Sequence, residues 1–115
     1  PVLWLDNNPQ IVEAGLQMAE DTWAQHVAKG RISTGEASLR RARIQAVADY
    51  AELAGVDLVI EAGLQAYDVQ APIAVIEAAG GIVTDWRGRP ALDGGRVLAA
   101  ANRAIHAEAL ALLNG

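Results

Sequence analysis

Cysteine is missing from the 115 residues of this chain. Disulfides, thiolate metal sites and cysteine nucleophiles are therefore excluded. Phenylalanine is missing too, and three tryptophans and two tyrosines are the only aromatic residues. The core must be built from small and branched aliphatics, which suits tightly packed strand–helix layers. Lys and Arg number 9 against 14 Asp and Glu, for a net charge of −5. That balance argues against nucleic acid, which selects a basic face. No apolar run in the sequence is long enough to span a membrane, and a signal peptide is not expected. The expected compartment is the cytoplasm, with no membrane partner. The chain opens directly on an apolar run, as a fragment would.

Strands and helices alternate through what remains. Pro1–Leu5 ends at Asp6 and reads as a buried strand. Asn8 and Pro9 suit the cap and first turn of a helix. Val12, Leu16, Ala19, Trp23 and Val27 then recur at helical spacing until Gly30. Ser33-Thr34-Gly35-Glu36 has capping-box spacing and opens a second helix to about Arg41. Ile44–Ala48 is the next strand, and Asp49–Ala54 a helical turn closed by Gly55. Leu58–Glu61 is β-branched and reads as a central strand. Beyond it the pattern predicts a helix over Val69–Ala79, with Asp68 as its N-cap and Gly80-Gly81 as its stop. A strand over Ile82–Asp85, a turn-rich connection over Trp86–Gly95, a strand over Arg96–Ala101 and a helix over Arg103–Leu113 complete the chain. This alternation predicts one α/β domain over 1–115. Its fold would be three-layered and Rossmann-like, a mostly parallel sheet of about five strands with helices on both faces.

The stretches VLWLDNNP, HVAKGRIS and RIQAVADYAELAGVDLVIEA carry a first resemblance. Through them residues 1–62 resemble the NAD-binding domain of the 3-hydroxyacyl-CoA dehydrogenases. The resemblance implies that Asp6 ends the second Rossmann strand and takes the adenosine ribose hydroxyls. That family's G-x-G-x-x-G turn, which holds the pyrophosphate on backbone N–H groups, does not occur in this sequence. Gln65 stands where the family carries a Glu after its IEA strand. Asp6 without a phosphate loop does not specify a dinucleotide, so NAD is not expected as a cofactor. The simpler reading is a strand-end Asp beside a helix N-terminus.

The stretches DLVIEAGLQAYDVQAPIAVIEAAGGIVTDWRGRP and GRVLAAANRAIHAEALALL carry a second, closer resemblance. Residues 57–115 are similar to the C-terminal part of the inositol monophosphatase family, including its histidinol-phosphatase-like members. This implies that Tyr67-Asp68 opens a helix and that Asp68 ligates a catalytic Mg²⁺. It also implies that Glu61 contacts substrate hydroxyls and that Ala79-Gly80-Gly81 makes a tight exit from the helix. The family draws its other ligands from an earlier Glu and a D-P-x-D-G-T motif, and neither occurs here. Mg²⁺ chemistry on a phosphate ester needs several oxygen ligands and an activated water. Asp68 therefore stands under two readings: the cap of its helix, or a weak, millimolar Mg²⁺ ligand with Glu61 nearby.

His26 and His106 have no second ligand at metal-binding spacing, and Ser33, Thr34 and Ser38 have no paired base. Arg40, Arg41 and Arg43 read as a solvated helix end. The stretch DLVIEAG at 57–63 fits both families. It would serve as a strand shared by a dehydrogenase-like segment, 1–56, and a phosphatase-like segment, 64–115. The sequence thus predicts a recombined or designed chimeric scaffold with no complete catalytic site. A Mg²⁺-dependent phosphomonoesterase remnant and a weak nucleotide-binding module using Asp6 are the alternatives. In the parent sheet a strand would be missing, to be replaced by a phosphatase-derived strand or closed up. No partner is specified, although open sheet edges would favour a homodimer.

Overall fold

The computed structural model describes all 115 residues, whose contacts divide into two units, Pro1–Ala54 and Gly55–Gly115. In the first, β1 (Val2–Trp4) and β2 (Ile44–Ala46) pair in parallel, with Val2 facing Ile44 and Trp4 facing Ala46. Parallel neighbours need a long crossover, which α1 (Pro9–Ala28) and α2 (Thr34–Ala42) supply. The Asn8 side chain accepts the Gln10 N–H at 3.0 Å, and Pro9 takes the first helical position. At the other end Gly30 turns left-handed, and the N–H groups of Gly30 and Arg31 return to the carbonyls of Val27 and His26. Ser33 caps α2 by accepting the Glu36 N–H at 3.0 Å.

Packing in this unit is thin. Val12 and Val47 are its buried apolar side chains. Trp4 lays its ring on α1 at Gly15, where a Cβ would meet the ring at 2.4 Å. Arg41 pairs with Glu20 on α1, and Arg40 with Glu36 one turn back. These half-exposed pairs add at most about 1 kcal/mol each, but they occupy two cations of the basic run at 40–43. After β2 a short 3₁₀ turn, Tyr50–Leu53, is capped by the Asp49 side chain, which accepts the Ala51 N–H at 2.9 Å.

The second unit holds β3 (Leu58–Leu64), α3 (Ala66–Ala78), β4 (Ile82–Asp85), β5 (Gly95–Ala100) and α4 (Arg103–Asn114). The strand order is β3-β5-β4, with β5 antiparallel to both neighbours. β3 and β4, joined through α3, are therefore parallel to each other with β5 between them, a split β–α–β arrangement. One sheet face and α3 bury Val69, Ile73, Val83, Ala91 and Val97 together. The opposite face meets α4, where Thr84 of β4 and His106 of α4 lie 2.8 Å apart (Oγ1 to Nε2). The Thr84 hydroxyl gives its proton to the Asp85 carbonyl at 2.8 Å. With that proton committed, His106 donates through Nε2–H.

The single, mostly parallel five-stranded sheet expected from the alternation is not what forms. The parallel pairing stops at two strands, and the second sheet is antiparallel. The cause is connection length: residues 86–94 between β4 and β5 are too few for a crossover, which takes a dozen or more. No further strand joins β1 and β2, so no phosphatase-derived strand fills a gap there. The strand over 57–63 is an edge rather than the centre, and Val59 and Ile60 on it are 42% and 49% exposed. None of the helices is long and apolar enough to cross a membrane.

The β4–β5 connection is organised by Asp85. Its Oδ1 accepts the N–H groups of Arg87 and Arg89, each at 2.8 Å, and its Oδ2 accepts Arg89 Nε at 2.7 Å. The Arg89 backbone N–H is the main cause that holds this carboxyl below the usual 3.8, against some desolvation. A carboxyl depressed in the folded state stabilises above its unfolded value and loses that contribution as pH falls through the depressed one. The turn is thus expected to loosen below about pH 4. Urea midpoints taken along a pH series check this: the native chain should lose stability in that acid window, and Asp85→Asn should start lower and show a smaller acid loss.

Candidate functional site

The second unit places two sequence-picked carboxylates at one cavity. Glu61 lies on β3 opposite Val97, on the sheet face that α3 covers. Two residues later the ladder is interrupted between Ala62 and Leu64, and Gly63 turns left-handed at φ 88°. This bulge ends the regular strand and leads the chain into α3. The helix opens at Ala66 with Gln65 as its N-cap, so Asp68 is its third residue and not the cap predicted from the sequence. Asp68 reaches back instead, its Oδ2 accepting the Gln65 N–H at 2.8 Å. This is the acidic half of a capping box, and it suits the positive end of the helix dipole. Pro72, four residues on, has no N–H for the Asp68 carbonyl, which loses its intrahelical partner.

Glu61 and Asp68 line the same cavity of about 210 Å³, whose walls include Val59, Val69, Ile73 and Val97. Both carboxylates belong to exposed residues, and neither is in an ion pair. No group of three or more His, Cys, Asp or Glu converges anywhere to hold an ion. Two carboxylates match how Mg²⁺ is held at phosphate sites, by one or two acids with waters and substrate phosphates completing the shell. They do not match a site that holds the ion unaided. α3 leaves the site through a close-fitting exit, where the N–H groups of Gly80 and Gly81 return to the carbonyls of Glu77 and Ile76.

Asp6 belongs to the other unit. Its Oδ1 accepts the Asn8 N–H at 2.9 Å, and it lines a separate cavity with Glu13 and Tyr50. Sequence reasoning passed over those two. Their signal was positional: Glu13 lies on the first turns of the helix that follows Asp6, and Tyr50 just follows the strand paired beside β1. His26 belongs to the first unit and His106 to the second, and neither is part of a group of three or more potential ligands. Trp86 packs at the sheet: its Nε1 donates to the Val97 carbonyl at 3.2 Å, and the Arg96 guanidinium lies 5.0 Å from its ring centre.

Residues 4–115 match the model of the inositol monophosphatase family. A plant protein, "Bifunctional phosphatase IMPL2, chloroplastic" of Arabidopsis thaliana, is 46% identical over an alignment of 72 residues, covering 53% of this chain and 21% of its own. A solved inositol monophosphatase from Zymomonas mobilis superposes with a TM-score of 0.55 at 26% identity, covering 99% of this chain and 42% of that one. This chain thus spans less than half the length of either. The family match crosses Asp57–Gly63. The join expected there, and with it the dehydrogenase-like segment and the designed or recombined chimera, is not supported.

Proposed function

We propose, since this chain belongs to the inositol monophosphatase family, that it serves phosphomonoester hydrolysis and contributes the Glu61–Asp68 cavity to a Mg²⁺-dependent phosphatase site. The observation behind this reading is that two carboxylates on different elements line one cavity beside a helix N-terminus. Asp68 is the metal ligand: Gln65 fixes one of its oxygens and leaves the other free. Glu61, on the open strand edge, accepts hydrogen bonds from substrate hydroxyls. The ion, when bound, supplies charge for the phosphoryl oxygens and an activated water.

The relatives carry more than half their length outside the matched region, and we assign the remaining ligands to such additional sequence. The chain alone then binds Mg²⁺ at millimolar strength at best. Amide shifts on Mg²⁺ titration test this. Saturable shifts clustered at Glu61 and Asp68, abolished by Asp68→Asn together with any phosphate release from inositol monophosphate, support the reading. Shifts that survive Asp68→Asn, or that never saturate, exclude Asp68 as the ligand.

A further inference from the structure

We infer that the first unit holds a second binding site, unrelated to phosphate chemistry, for an organic ammonium ion with an apolar body. The cavity that Asp6 lines measures about 520 Å³, within the range of small-molecule sites. It opens at the carboxyl ends of the paired parallel strands β1 and β2, where Leu5 and Asp6 follow one strand and Val47 and Ala48 the other. Ligands of open α/β sheets gather at that end of the strands.

The lining states the ligand's chemistry. Leu5, Pro9, Val12, Leu16 and Val47 provide apolar walls. The charged groups are Asp6 and Glu13, both acidic, and no Lys, Arg or His lines the cavity. Neither acid is engaged in an ion pair. Tyr50, 70% exposed, adds an aromatic ring at the same cavity, and such a ring attracts a cation over its face.

An anion finds no cationic side chain in this lining. Asn8 N–H is taken by Asp6, Gln10 N–H by the Asn8 side chain, and Ile11 N–H by the Asn8 carbonyl, while Pro9 has none. The start of α1 therefore offers no free donor in its first turn, and two carboxylates repel a phosphate. A neutral apolar guest would fill the walls and leave the two charges unanswered. A primary ammonium answers them, and its apolar body takes the walls.

The test is a titration of the 115-residue chain with 2-phenylethylammonium, followed by amide and methyl shifts. 2-Phenylethanol and 3-phenylpropionate serve as neutral and anionic controls. The expected result is saturable, millimolar binding of the ammonium with shifts at Val12, Leu16, Val47 and Tyr50, weaker binding of the alcohol and none of the carboxylate. Asp6→Asn and Glu13→Gln should each weaken it roughly fivefold, with further weakening by salt. Tyr50→Leu, at an exposed position, should weaken it without disturbing the fold. Equal binding of ammonium and alcohol, shifts centred elsewhere, or affinities unmoved by all three substitutions would overturn the assignment.

Discussion

Gly94→Ala should destabilise the second unit by about 3 kcal/mol and abolish the Mg²⁺ response proposed for it. Gly94 sits at φ 77°, and a Cβ there would stand 2.4 Å from the Leu64 carbonyl oxygen and 2.7 Å from the Gln65 carbonyl carbon. The left-handed conformation alone costs an L-residue about 1–2 kcal/mol. The overlap adds about 1–3 kcal/mol, because the obstacle is backbone and cannot swing aside as a side chain would. Leu64–Gln65 is also the link between Glu61 on β3 and Asp68 on α3, and the Gln65 N–H is the group that orients Asp68. Relief of the clash must shift that link, so stability and ion binding should fall together. Gly95→Ala is the control. Its φ is 82°, but nothing lies within 4 Å of its Cβ position, so it carries the conformational cost alone. Equal losses in urea midpoint for the two variants would show that the contact with Leu64 is absent in solution.

Local chemistry was the legible part of this chain. The cap at Asn8, the Ser33 cap and the exits at Gly30 and Gly80-Gly81 all lie where the sequence reading puts them. Each depends on residues within one turn, so sequence neighbours suffice to specify it. Strand partners were not legible in the same way. Leu58–Glu61 and Arg96–Ala101 carry the same β-branched, aliphatic signal whether they run parallel or antiparallel. The discriminating feature was the nine-residue connection 86–94, too short for a parallel return and dense in turn residues.

The site shows the same division. Glu61 and Asp68 were picked because the surrounding motif resembles the phosphatase family, and the structure places them at one cavity. The helical start at Ala66 was missed because Asp68 is a good N-cap by residue type, whereas Gln65 is a poor one. The carboxylate contributes from three residues inside the helix. Tyr50 escaped notice because its meeting with Asp6 depends on β1 and β2 being direct neighbours, and Glu13 because an acid early in a helix reads as an ordinary solvated residue. Val59 and Ile60 were read as central because edge and centre differ in neighbours and not in residue type.

Leu98→Ala is the second large effect, and it probes the face of the sheet away from α3. Leu98 is the largest side chain with no exposure at all. It lies on the middle strand β5, paired with Ile60 on one side and Thr84 on the other. Thr84 bonds His106 on α4, which places Leu98 on the face that α4 covers. Truncation removes three buried carbons and leaves a void that flanking strands cannot close, at a cost of about 3–4 kcal/mol. A 61-residue unit, Gly55–Gly115, has on the order of 3–9 kcal/mol in total at typical stabilities per residue. The variant should therefore lose from about a third of the unit's stability to all of it, read as a lower urea midpoint for this unit and, at the larger loss, as collapse of its amide dispersion. Ile60→Ala, its half-exposed neighbour on the same face, should cost only about 1–2 kcal/mol, because water already reaches that side chain. The ratio of the two losses measures how well α4 closes its face. If the two variants lose equal stability, α4 does not seal Leu98, and the unit's core is the α3 face alone.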